Sequence, residues 1–138
     1  MKSRYNYIFL DLDDTIWDFH ANAKASLLDI YYDRKLNEHY PDFEHFFQLY
    51  ARRNLELWSQ YGQGLITKDH LIVERFRHLL SHAGIQAHEM ALNMNTDFLD
   101  ILSTKIILMP YAGELLEYCT SRHLPMTIIS NGFTEVQY

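Results

Sequence analysis

The 138 residues suffice for one ordinary domain with a real core, and 48% hydrophobic with 22% charged residues excludes a disordered chain. A net charge of −6 without a Lys/Arg stripe excludes a nucleic acid polymer as a general partner, and the lone Cys119 excludes an internal disulfide and suits a reducing cytoplasm. The segment before Asp11 carries Lys2 and Arg4 but fewer than eight apolar residues, too few for a secretory signal core, and no run nears the ~18 apolar residues of a membrane span.

Taken in chain order, the residues from Asn6 to Leu10 form a short aromatic and aliphatic run that predicts a buried strand. A helical region follows, with Ala21, Ala25, Leu28, Tyr32 and Leu36 stepping by three and four as its apolar stripe. Pro41-Asp42 marks a new start with Asp42 as N-cap. Phe43, Phe47, Tyr50, Leu57 and Tyr61 continue the helical period, widened by Phe46, Leu49 and Trp58, until Gly62-Gln63-Gly64 breaks it. Thr67 caps a third helix with the stripe Ile72, Phe76, Leu79 and Ala83, and Gly84 is its stop. Met90, Met94, Phe98 and Ile101 trace a fourth. After Pro110, Tyr111 to Arg122 reads as a shorter fifth helix with Leu115, Leu116 and Cys119 inward. Met126 to Ser130 is a second buried strand, closed by the turn Asn131-Gly132.

Parallel strands of this kind are normally buried on both faces of a larger sheet, and two alone are marginal. The sequence reaches Tyr138 where a further helix is expected. The expectation is therefore the N-terminal part of a larger α/β protein.

The chemistry gathers at the end of the first strand, where Asp11, Asp13 and Asp14 lie within four positions. A carboxylate buried among apolar groups costs several kcal/mol (roughly) unless it is paired, metal-bound or used chemically. Asp11 and Asp13 stand two apart where strand becomes loop, so both can lean into the crevice at the carboxyl end of the strand. Nucleophilic attack by one Asp, with the other moving protons, suits a phosphoryl group. Mg²⁺ suits the oxygen-rich site and screens the repulsion between anions. The competing reading is a strand that merely ends in an acidic turn.

At these residues the chain resembles the haloacid dehalogenase (HAD) superfamily. Asp11-Leu12-Asp13-Asp14-Thr15 matches its first motif, D-x-D-x-T after an apolar strand, and Ile128-Ile129-Ser130 matches the second, a strand ending in Ser or Thr. The resemblance implies an α/β fold: a partial HAD-like, Rossmann-like core of parallel strands (1–16 with 108–138) and an inserted four-helix-bundle cap (17–107). It implies that Asp11 is the nucleophile and a Mg²⁺ ligand, and that Asp13 is the general acid/base with its carbonyl on the metal. It also implies that Ser130, Asn131, Gly132 and Thr15 bind the phosphate. The runs Asp14-Thr15-Ile16-Trp17-Asp18-Phe19 and Ser130-Asn131-Gly132-Phe133-Thr134-Glu135 are closest to the pyrimidine nucleotidase branch. Trp17 and Phe19 then offer an apolar wall to a base, or else simply anchor the hinge. The family's third-motif Lys and fourth-motif acidic ligands have no counterpart in these 138 residues, and Lys68 and Lys105 do not match the Lys position. If these 138 residues were the whole protein, weak Mg²⁺ affinity and little or no turnover would be expected.

The expected activity is Mg²⁺-dependent hydrolysis of a small phosphorylated metabolite, with nucleoside 5′-monophosphates the favoured substrates, in a cytoplasmic protein without nucleic acid or membrane partners. Two rivals stand beside it: a non-catalytic binding module and a phosphoacceptor signalling domain. His78 and His82, four apart, read as a solvated helix face rather than a metal pair, and Glu74-Arg75-Arg77 as exposed surface. Met90 and Met94 read as core, and Cys119 as an inert small hydrophobe.

Overall fold

The computed structural model describes residues 4–132 and 134. Lys2, Phe133 and Glu135 lie outside that set, as does most of the expected helix after the second strand. The described elements, in chain order, are β1 (Ile8–Asp11), α1 (Phe19–Asp33), a single 3-10 turn (Leu36–Glu38), α2 (Phe43–Gly62), α3 (Lys68–His82), α4 (His88–Leu102), α5 (Ala112–Ser121) and β2 (Met126–Ile129). This is an α/β fold. The strands pair in parallel, with Ile8 opposite Met126 and Asp11 opposite Ile129, so both point their carboxyl ends the same way.

The helix ends follow from local chemistry. Asp18, Asp42 and Thr67 each accept a backbone N–H three residues on, from Ala21, His45 and His70. Gly84 has φ +76, and the N–H groups of Gly84 and Ile85 return to the carbonyls of Ser81 and Leu80. That pair of bonds is a Schellman stop, which needs the left-handed conformation glycine adopts without strain.

The core is helix on helix. Leu27, Ile30, Phe46, Tyr50, Phe76, Met94 and Phe98 are among the residues packed out of solvent between α1 and α4. Several of its rings meet at tilted or edge geometry, such as Phe76 and Phe98 at 5.6 Å. Cys119, on α5, is fully buried.

Four expectations are corrected. The inward face of α1 is Asn22, Ala23, Ser26, Leu27, Ile30 and Tyr31, on the opposite side of the helix from the expected stripe, and Leu28 and Tyr32 are exposed. Asn22 belongs to this inward face, its side chain tied to the Ile107 backbone. Glu74 and Arg75 are buried, not surface. Glu74 sits between Arg53 (3.2 Å) and Arg77 (2.6 Å), and Arg75 lies over the Phe98 ring (5.1 Å) while donating to Asn95 Oδ1. Burial pushes the Glu74 carboxyl up, but hydrogen bonds and charge from Arg77 and Arg53 hold it below its usual value. Leu115 is exposed on α5. Finally, the strands are not buried: Phe9, Ile128 and Ile129 are each more than half exposed, because the helices pack on one another rather than over the sheet.

Candidate active site

Asp11 is the last residue of β1, and Asp13 follows in a tight loop. The Leu12 carbonyl accepts the N–H groups of Thr15, Ile16 and Trp17 at 3.3, 3.0 and 3.0 Å, while Asp14 takes φ 59. Asp is among the few side chains that enter this left-handed region readily, because its short carboxylate bonds locally. Here Asp14 Oδ1 accepts the Phe19 N–H at 3.1 Å. The loop thereby turns the chain from the strand into α1 within a few residues.

Asp11, Asp13 and Asp14 meet Ser130, Asn131 and Gly132, which leave the end of the adjacent β2, in one cleft of ≈ 580 Å³. Burial first, then the charges of Asp11 and Asp14, raise the Asp13 carboxyl above its ordinary value. Thr15 is not among the cleft's lining residues. Its hydroxyl donates to Asp11 Oδ2 at 3.1 Å and so orients that carboxylate. The Gly132 N–H donates to Ser130 Oγ at 3.1 Å, folding the loop back on the strand end.

The helices supply the other wall, with Phe19, His20 and Ala23 from α1 and a face of α2 from Phe47 to Trp58. Phe19 therefore lines the cleft and Trp17 does not. The Trp17 indole N–H donates to the Lys105 carbonyl at 3.0 Å, and its backbone bridges to Asp13 and Leu108. Trp17 thus joins the two segments that connect the helices to the strands. Asn22 ties the same segments more tightly. Its Nδ2 donates to the Asp18 and Ile107 carbonyls (2.7 and 2.8 Å), and its Oδ1 accepts the Ile107 N–H (2.9 Å).

Sequence reasoning missed His20, Asn54 and Trp58 as cleft residues. The available signal was the continued period Phe47, Tyr50, Asn54, Trp58 on one face of α2. His78 and His82 meet edge to face at 4.8 Å, and no group of three metal-ligating side chains occurs among the described residues.

No family model matches the chain. HAD-hydrolase YfnB of Bacillus subtilis is 27% identical over 98% of this chain and 54% of its own length. Pyrimidine 5′-nucleotidase PynA of Streptococcus pneumoniae is 26% identical over 96% and 54%. The solved structure of YfnB bound to magnesium superposes with TM-score 0.83 at 26% identity, over 99% of this chain and 57% of that one. These likenesses support membership of the HAD-like superfamily. A dehalogenase structure (TM-score 0.58, 19% identity, 99% of this chain and 56% of that one) shares the fold. The chain spans about half the length of the curated relatives it matches. No helix among the described residues is long and apolar enough to cross a membrane.

Proposed function

We propose that this HAD-like chain carries the nucleophile half of a Mg²⁺-dependent phosphohydrolase acting on small phosphate monoesters, nucleoside 5′-monophosphates foremost. One observation carries the reading: Asp11, Asp13 and Ser130 converge from two adjacent parallel strand ends onto the floor of one cleft. In this reading residues 1–16 with 108–138 are the core, and 17–107 are the cap that covers the site.

Asp11 attacks phosphorus with the oxygen that Thr15 does not hold, giving an aspartyl phosphate. Asp13 protonates the leaving alkoxide and then takes a proton from the water that cleaves the acyl phosphate. The Ser130 hydroxyl and the Asn131 N–H bind the non-bridging oxygens, while the Gly132 N–H, donated to Ser130 Oγ, holds that hydroxyl in place. The donor set at the strand end is all oxygen, which suits a hard cation that retains water. Asp11 and the Asp13 carbonyl would hold Mg²⁺, which when bound neutralises phosphate charge and the repulsion among the carboxylates.

The test is phosphate release from a panel of nucleotides and sugar phosphates with Mg²⁺, together with acid-stable trapping of ³²P on the protein. Wild type is expected to release phosphate and trap label, and Asp11→Asn to do neither. Equal rates in the two proteins remove Asp11 as nucleophile. A second reading has its own support, since no Lys or Arg is among the residues lining the cleft and the chain spans about half of its relatives. A module that binds phosphomonoesters with little turnover would give Asp11-dependent binding in the same panel without release.

A further inference from the structure

Resting on that phosphohydrolase reading, we infer that Asn54 determines leaving-group specificity by pairing with a planar nitrogen heterocycle that carries an N–H beside a carbonyl.

On α2, Phe47, Tyr50, Ala51, Asn54 and Trp58 recur at helical spacing and all line the cleft. Asn54 is the one side chain of that stripe with a carboxamide. It is 8% exposed, and its Oδ1 is shielded from solvent and accepts no hydrogen bond from the described residues. A buried amide oxygen without a donor destabilises a fold, and Asn is a poorer helix former than Leu or Met. An apolar residue would therefore suit the free protein better at this point of the stripe. The unfavourable choice is explained if a ligand completes the bond.

The ligand's chemistry follows from the surroundings. Phe47, Tyr50 and Trp58 line the cleft with aromatic rings, so they favour a ring over a flexible polyol. A carboxamide turned about its last torsion offers one donor and one acceptor side by side. A heterocycle rim of N–H next to C=O answers both. The carboxylates and Ser130 lie on the strand side of the same cleft, so a ring held at α2 leaves the strand ends to a phosphate. Polar specificity in a dry pocket comes from the group left unpaired when the wrong ligand binds.

Chemical-shift titration of the whole chain tests this with uridine, N3-methyluridine and ribose 5-phosphate as probes. Uridine offers the rim N–H, N3-methyluridine blocks it, and ribose 5-phosphate has no ring. Wild type is expected to bind uridine about tenfold more tightly than N3-methyluridine, the ratio of about one hydrogen bond lost to a buried partner. Asn54→Ala should remove that preference and leave ribose 5-phosphate binding unchanged. Trp58→Leu, at a partly exposed position, should weaken both nucleosides alike. Asp11→Asn should keep the uridine preference, since neither nucleoside carries phosphate, so loss of the hydrolase reading would leave this result intact. The inference is overturned if wild type does not distinguish the two nucleosides, or if folded Asn54→Ala still does. Should Asn54→Ala fail to fold by circular dichroism, the wild-type comparison and Trp58→Leu decide the matter.

Discussion

Replacing Asn22 with Ala removes three hydrogen bonds at once: two from Nδ2, to the carbonyls of Asp18 and Ile107, and one from the Ile107 N–H to Oδ1. Asn22 is fully buried, so water does not readily take the place of the lost partners. At about 1 kcal/mol net per bond the loss is about 3 kcal/mol, and the better helix propensity of Ala returns roughly 0.6. The Ile107 carbonyl keeps the Asp18 N–H at 3.0 Å, whereas the Ile107 N–H is left with no acceptor. A net destabilisation of about 2.5 kcal/mol is expected, a large part of the roughly 5–15 kcal/mol by which domains are stable. In urea this lowers the midpoint by about 1–2 M at an unchanged slope. Asn22→Asp keeps the acceptor but buries a charge without donors to return, and is expected to be at least as damaging. A loss below about 0.5 kcal/mol for Asn22→Ala would refute the clasp, because the bonds would then carry no more than exposed ones do.

Two further outcomes follow from the buried charges. Arg75 has Asn95 Oδ1 as its acceptor, so Asn95→Leu should destabilise by about 2–3 kcal/mol, while Arg75→Met/Asn95→Leu together should recover at least half of that in thermal melts; additive losses would count against the pairing. Glu74 is held below its usual carboxyl value, so its stabilisation is present above the ordinary carboxylate range and lost as pH falls through the depressed value. Glu74→Gln should therefore lower the denaturation midpoint at pH near 7, with the difference closing only as pH falls below the ordinary carboxylate range; a gap that persists in strong acid would assign the effect to packing instead.

What could be read from the sequence was whatever backbone chemistry dictates locally. Asp42 and Thr67 cap helices because a short oxygen-bearing side chain at that position meets an unpaired N–H, and Gly84 stops one because its φ is positive. The aspartates at the end of β1 stood out because an apolar strand ending in carboxylates has few structural reasons to exist. What escaped was burial secured by hydrogen bonds. A stripe drawn through apolar side chains passes over Asn22, Ser26, Asn54, Glu74, Arg75 and Asn95, all of them buried. In α1 that omission put the inward face on the wrong side of the helix. In α2 it hid the side of the helix that faces the carboxylates. Buried polar residues at core spacing mark where two segments or a ligand must meet, and only the partner, distant in sequence, reveals which.

The same distribution of contacts separates stability from the reaction centre. The hydrophobic cluster runs from Ala23 to Leu102 and draws on the helices, while β1 and β2 present Phe9, Ile128 and Ile129 largely to solvent. A cooperative melt of this chain therefore reports chiefly on the helices. The strand ends that carry Asp11, Asp13 and Ser130 can lose their pairing at little expense to that signal, since a two-stranded ladder contributes little by itself. Asn22, Trp17 and the Met109 N–H to Ile16 carbonyl bond (2.9 Å) are the links between the two parts. Hydrogen exchange at the Ile8 and Leu10 amides, which face β2, in wild type and Asn22→Ala separates the cases. If the clasp positions the site, those amides lose protection in the variant even under conditions where the helices stay fully folded. If protection falls only in step with global unfolding, the strand ends are held by something other than these links.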